Sequence, residues 1–172
     1  MYRVFSNKVI VYLLVLLVVD LSIAPALRIH LVQPVFLYLL IIYAGFNWGW
    51  GRTLHIATLS GMLRDMTSSC FLGMELVTLS GLALILEAAL QKMDRQSSLA
   101  RITATFFFVY AACLGTLLLS ALSGSGVKID AQSIMFAFYT AVYTACVMPV
   151  FFWITSGLFH DRSSLRQYEL FR

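Results

Sequence analysis

The chain has 172 residues, of which 60% are hydrophobic, 14% aromatic and only 12% charged, with a mean hydropathy of +0.87. A soluble domain of this size carries roughly a quarter charged residues, so something other than water must solvate this surface, which excludes a disordered tail, a coiled coil and a nucleic-acid module. The net charge of +4 does not restore the last of these, because the basic residues are scattered in small groups between apolar runs, as in the cytoplasmic loops of membrane proteins.

A bilayer core of about 30 Å takes roughly 20 apolar residues in helix. Six segments qualify, which predicts an all-α, six-transmembrane-helix bundle forming one integral membrane domain. Residues 9–26 carry one acid, Asp20. Arg3 and Lys8 before this run and Ala24-Pro25-Ala26 after it have the outline of a cleavable signal peptide. Asp20 and the proline beside the cleavage point argue for a retained span instead. Residues 32–50 are free of charge and open just before Pro34. Residues 53–70 are the most polar span, with Gly61, Arg64, Asp65 and several hydroxyl side chains. Residues 72–90 contain Glu75 and Glu87 and follow so closely that the third and fourth spans must form a tight antiparallel hairpin. Residues 102–122 and 131–158 are free of charge, and the latter is long enough to tilt or to kink at Pro149.

With the N-terminus inside, nine of the twelve Lys and Arg residues fall in cytoplasmic segments, Arg28 and Lys128 fall outside, and Arg64 lies within a span. Such a bias across short loops predicts that both termini are cytoplasmic. Trp48, Trp50 and Trp153 fall toward the same interface, where indoles are enriched. Little else in the sequence points to chemistry. Cys70, Cys113 and Cys146 lie singly, and the three histidines have no partner at helical spacing, so no metal site or redox pair is expected. No phosphate loop or nucleophile elbow occurs. The chain reads as having no catalytic residues and no cofactor.

The informative residues are the charges within spans, each costly in lipid unless paired or turned to a polar cavity. Asp20 lies eleven residues beyond Val9, and Arg64 eleven beyond Thr53, placing both roughly 16 Å from the cytoplasmic end of their helices. Arg64 is therefore expected to pair with Asp20 or with an acid of the fourth span. Asp65 shares a face with Gly61, Ser68 and Ser69, which suits either a substrate or ion site or a polar clasp on the hairpin turn; the clasp is favoured. Glu75 and Glu87 lie near opposite interfaces, and Glu87 is expected at a solvated helix end. Small residues mark close helix contacts: Ser133, Ala137, Ala141 and Ala145 every four residues in the last span, Gly45 and Gly49 in the second, Ala111 and Gly115 in the fifth. The last-span face serves either internal packing or a partner's helix. Phe106–Phe108, Tyr139, Tyr143, Phe151 and Phe152 are expected to face mostly lipid.

Gly61-Met62-Leu63-Arg64-Asp65-Met66-Thr67-Ser68, followed by Leu72-Gly73, has the form G-x-x-x-D-x-x-S-x-x-x-L-G. It resembles the motif joining the third and fourth of six spans in the rod shape-determining protein MreD family. Pro34 after a short outer loop, Pro149 in the last span and a basic C-terminal tail extend the resemblance over nearly the whole chain. The pattern departs at Val35 and Thr144, where the family more often has a polar residue and an asparagine, and Arg64 beside the motif Asp65 is unusual. The resemblance implies a non-enzymatic membrane scaffold of the cell-elongation machinery. Its partners would be MreC, a single-span periplasmic protein, with the actin-like MreB and synthases of the RodA and penicillin-binding protein type in the same assembly. Six short helices also resemble the substrate-binding membrane subunits of energy-coupling-factor transporters. In that reading Arg64 and Asp65 would face a ligand cavity opening outward. The short 68–73 connection and the absence of an A-x-x-x-A docking pattern in the first span weigh against it.

Overall fold

The computed structural model describes residues 2–28, 32–67, 73–91, 97–123 and 130–158, with side chains from Val9 onward. The described residues form six helices and no strand: α1 (Tyr2–Ser22), α2 (Phe36–Asn47), α3 (Trp50–Thr67), α4 (Met74–Leu90), α5 (Ser98–Leu122) and α6 (Ala131–Leu158).

The second helix organises the others. α2 touches all five remaining helices, and its residues from Leu37 to Phe46 are all buried. A helix apolar on every side is one that other elements enclose. At 12 residues it rises only about 18 Å, so the charge-free segment 32–50 is not one continuous helix but a short core helix with extended chain before it. Val35 is extended at φ −113°, in keeping with a neighbouring proline that cannot donate to a first helical turn. The other end stops at Gly49, whose φ of +76° is left-handed backbone that favours glycine. The chain reverses there directly into α3, which starts at Trp50 rather than Thr53. Gly49 is thus a turn residue with open space around it, while Gly45 is the packing glycine: a Cβ there would lie 3.1 Å from Leu90 and 3.3 Å from Leu86. The sequence pairs the two as one contact motif, but only Gly45 lies inside a helix.

Two helices, α5 and α6, are long and apolar enough to cross a membrane, and only 22% and 33% of their most apolar windows are buried in the bundle. That distinguishes them from the core helices of a soluble domain, which are covered. Exposed apolar side chains continue on the other helices, among them Val11, Val18, Met66, Val77 and Ile85. The interior is mostly apolar and also holds Thr53, Ser60, Asp65, Thr78, Glu87, Thr105, Thr144 and Thr155. Most of these hydroxyls are satisfied by a carbonyl one turn back in their own helix, as with Thr53 to Gly49, Thr105 to Arg101 and Thr144 to Thr140. α1 is held to α6 by the Tyr12–Thr155 hydroxyl pair at 2.9 Å and by the Tyr143 hydroxyl donating to the Leu27 carbonyl.

The small residues of α6 face inward. Ala137, Ala141 and Ala145 are buried and Ser133 is partly so, so this face packs within the bundle and is not a free surface for another helix. α6 runs unbroken through the exposed Pro149. The aromatic expectation needs correction: Phe108, Phe151 and Phe152 are buried, whereas Phe107 and Tyr139 are exposed. Phe152 sits edge-on between Tyr43 and Phe46 of α2, and Phe108 is edge-on to Tyr38. The side chains covering the central helix are large because α2 offers them an apolar surface on all sides.

Candidate functional site

The first four amides of a helix lack an intrahelical acceptor. In α4 two of these donors, and the amide of the residue before the helix, are met by a carboxylate from the preceding helix. Asp65 Oδ2 accepts from the amides of Gly73 and Leu76, and Oδ1 accepts from Glu75, each at 3.0 Å. A negative charge at a helix N-terminus also complements the macrodipole. Gly73, the residue before the helix, has φ of +100°, again backbone that favours glycine. One turn before Asp65, a Cβ on Gly61 would lie 2.5 Å from the Cα of Leu76 and 2.9 Å from its nitrogen. Only a glycine lets the backbone of α4 come this close. Gly61 thus permits the approach, Asp65 caps the arriving helix, and Gly73 turns the chain into it. Ser68 and Leu72, the other members of the sequence motif, lie outside the described residues.

Asp20 does the same for α2. Its two oxygens accept from the amides of Phe36 at 2.8 Å and Leu37 at 3.2 Å. This is a correction to one expected pairing: the carboxylate of Asp20 is directed at a helix N-terminus, not joined to Arg64. Arg64 takes the other expected partner type, an acid of the fourth helix, through an ion pair between its Nε and Glu75 Oε2 at 2.5 Å. Its guanidinium also lies over the Tyr38 ring, 4.9 Å from the centroid, an arrangement that adds cation–π attraction. Glu75 accordingly sits in the bundle with a cationic partner instead of resting in interfacial solvent. Glu87 differs from its expectation too: it is 6% exposed, not a solvated helix end. α4 is covered there because α2, α3 and α5 all pack against it.

Arg64 and Glu75 line a cleft of about 600 Å³ at the end of the bundle where α2, α4 and α6 begin. Its other polar walls come from Arg28, Gln33, Thr116, Asp130, Gln132, Ser133 and Thr140. A smaller cavity of about 200 Å³ on the far side of Arg64 is lined by Asp20, Gln33 and Thr67. Asp65 lines neither, because its carboxylate is occupied by the α4 amides. Among the described residues no group of three His, Cys, Asp or Glu is placed to hold a metal ion. The cysteines Cys113 and Cys146 are free thiols, and the remaining one, Cys70, lies outside the described residues.

The structure therefore brings together Gly61, Asp65 and Gly73 in one clasp, and puts Arg64 beside Glu75 and Tyr38. It turns the carboxylate of Asp20 to the α2 amides, on a small cavity that Arg64 also lines, and puts Ala137, Ala141 and Ala145 on the inward face of α6. Tyr38 and Asp130 were not singled out from sequence. Tyr38 carried no local signal, being one aromatic in an apolar run. Asp130 was readable as an acid one residue before the last helix. No family model, no curated protein and no solved structure matches the chain.

Proposed function

We propose that the chain is a multi-pass protein of the bacterial inner membrane, with six spans and both termini cytoplasmic, and that it acts as a non-enzymatic scaffold of the cell-elongation machinery. The membrane part of this reading is supported by the apolar side chains exposed along α1 and along α3 to α6, a surface suited to apolar surroundings. The orientation is supported by the nine-to-two distribution of Lys and Arg, which makes the end holding the polar cleft the outer one.

The observation that carries the scaffold reading is the clasp. Three residues of the G-x-x-x-D-x-x-S-x-x-x-L-G pattern, Gly61 and Asp65 one turn apart on α3 and Gly73 eight residues further on, each perform a step in closing the α3–α4 hairpin. A pattern whose parts are so interdependent is one that a family would share because its fold requires it, and this supports membership of the MreD family. In that role the chain joins MreC, with MreB and synthases of the RodA and penicillin-binding protein type in one assembly. Depletion in the bacterium that carries the gene, with co-purification of MreC, tests this. Loss of rod shape and capture of MreC are expected.

The cleft is the observation that favours the second reading, a substrate-binding subunit of an energy-coupling-factor-type transporter. In that case depletion leaves cell shape unchanged and removes uptake of a small molecule, and an ATP-binding cassette module replaces MreC in the purified assembly.

A further inference from the structure

From the geometry of the outer cleft we infer that it is a binding site for a small ligand of zero net charge that carries both an anionic and a cationic group, the anion at Arg64 and the cation at Asp130. This goes beyond the scaffold reading and does not depend on which assembly the chain joins. The volume of about 600 Å³ falls within the range of small-molecule sites, roughly 300–1,000 Å³.

The anion position follows from how Arg64 is held. Its Nε faces Glu75 and the plane of its guanidinium covers Tyr38, so the side chain is fixed before any ligand arrives. A guanidinium has five N–H donors. No acceptor other than Glu75 meets Arg64 among the described residues, and the side chain lines the cleft. A carboxylate or phosphate oxygen is the partner such donors take most strongly.

The requirement for a second, opposite charge follows from the rest of the lining. Arg28 and Arg64 are balanced by Glu75 and Asp130. A lone anion brought to Arg64 would compete with Glu75 for one cation and leave Asp130 as a further repulsive charge. Arg64 and Glu75, the partly buried pair, feel that imbalance most, with Asp20 a further acid on the adjoining cavity, while Arg28 and Asp130 are exposed at the mouth of the cleft. A ligand that also carries an ammonium removes it, because Asp130 then has a partner. Asp130 stands at the start of α6, where its carbonyl accepts from the amides of Ser133 and Ile134, so its position comes from backbone and does not depend on its carboxylate.

The space itself comes from the small residues of α6. Ala141 and Ala145 are close-packed against the bundle, whereas Ser133, Ala137 and Thr140 one to two turns earlier form a wall of the cleft. The same four-residue spacing thus packs helices at the inner end and leaves room at the outer one.

Two sources could supply this chemistry, a free amphoteric molecule or the headgroup of a zwitterionic lipid. The test uses the full chain in detergent, titrated with tri-alanine, its N-acetyl derivative and its C-terminal amide, and read by calorimetry. In parallel the chain is placed in nanodiscs of phosphatidylethanolamine or phosphatidylglycerol, with thermal unfolding followed. Tri-alanine should bind about tenfold or more tightly than either blocked form, the factor carried by one charge-assisted hydrogen bond. Asp130→Asn should remove the advantage over the N-acetyl form, and it leaves the backbone contacts of α6 in place. If the lipid is the source, tri-alanine shows no saturable binding, and phosphatidylethanolamine raises the unfolding temperature of wild type but not of Asp130→Asn. Equal binding of the free and blocked tripeptides, or neither tripeptide binding nor phosphatidylethanolamine stabilisation, would overturn the assignment. None of these outcomes bears on cell shape, so a failure here is separable from a failure of the scaffold reading.

Discussion

Replacing Asp65 separates the capping account from a simple electrostatic one. In Asp65→Leu three amides lose their acceptor at once, those of Gly73, Glu75 and Leu76. A buried donor left without a partner costs about 1–3 kcal/mol, so the variant should lose at least about 3 kcal/mol of stability. Asp65→Asn is the informative companion. Its carbonyl oxygen can occupy the place of Oδ2, which serves two of the three amides, and its amino group then faces the Glu75 amide as a second donor. One bond of three is lost, or about 1–3 kcal/mol, roughly a third of the Asp65→Leu loss. Both variants remove the charge, so a pure macrodipole effect would make them equal and small, about 0.3–1 kcal/mol. Equilibrium unfolding of the detergent-solubilised chain, followed by far-ultraviolet circular dichroism, measures the difference. Equal losses in the two variants, or an Asp65→Leu protein within 1 kcal/mol of wild type, would refute the cap.

Gly61→Ala should destabilise by more than the 1–3 kcal/mol usual for overpacking, because its Cβ meets backbone of Leu76 at 2.5 Å rather than a yielding side chain; the same unfolding assay reads it. Gly115→Ala places a Cβ 2.6 Å from Thr78 Cγ2, and Thr78→Ser should restore most of the loss, since it removes that methyl and keeps the hydroxyl bond to the Met74 carbonyl. Arg64→Met alone strands Glu75 and should cost about 3–5 kcal/mol, while Arg64→Met with Glu75→Gln should recover much of it; a double-mutant cycle showing strict additivity would count against the pair.

The periodicity and charge of the sequence were enough to place six helices, and α6 begins and ends where its apolar run does. The depth of Arg64 along its helix was enough to limit its partners to Asp20 or a fourth-span acid. Composition could not distinguish a core helix from a lipid-facing one: α2 and α5 are both charge-free, yet one is enclosed and the other largely exposed. That difference is set by which helices surround which, and no local property of residues 36–47 encodes it. The four-residue spacing of small residues was legible as a close-packing signal, but Gly49 shows its limit, since a glycine at the right interval can belong to a turn. The carboxylates were legible as unusual, and capping was hard to foresee because the capped amides lie eight to seventeen residues away in the chain. The cleft was the least legible feature, since its walls come from five helices, α2 to α6, and from the chain that leads into α2 and α6.

We propose that this chain holds the elongation machinery together in the membrane. Depletion in the bacterium that carries the gene, followed by imaging of cell shape, tests it most directly. The account predicts that rods become round on depletion and recover with the wild-type chain but not with Asp65→Leu. Cells that stay rod-shaped without the protein would contradict it.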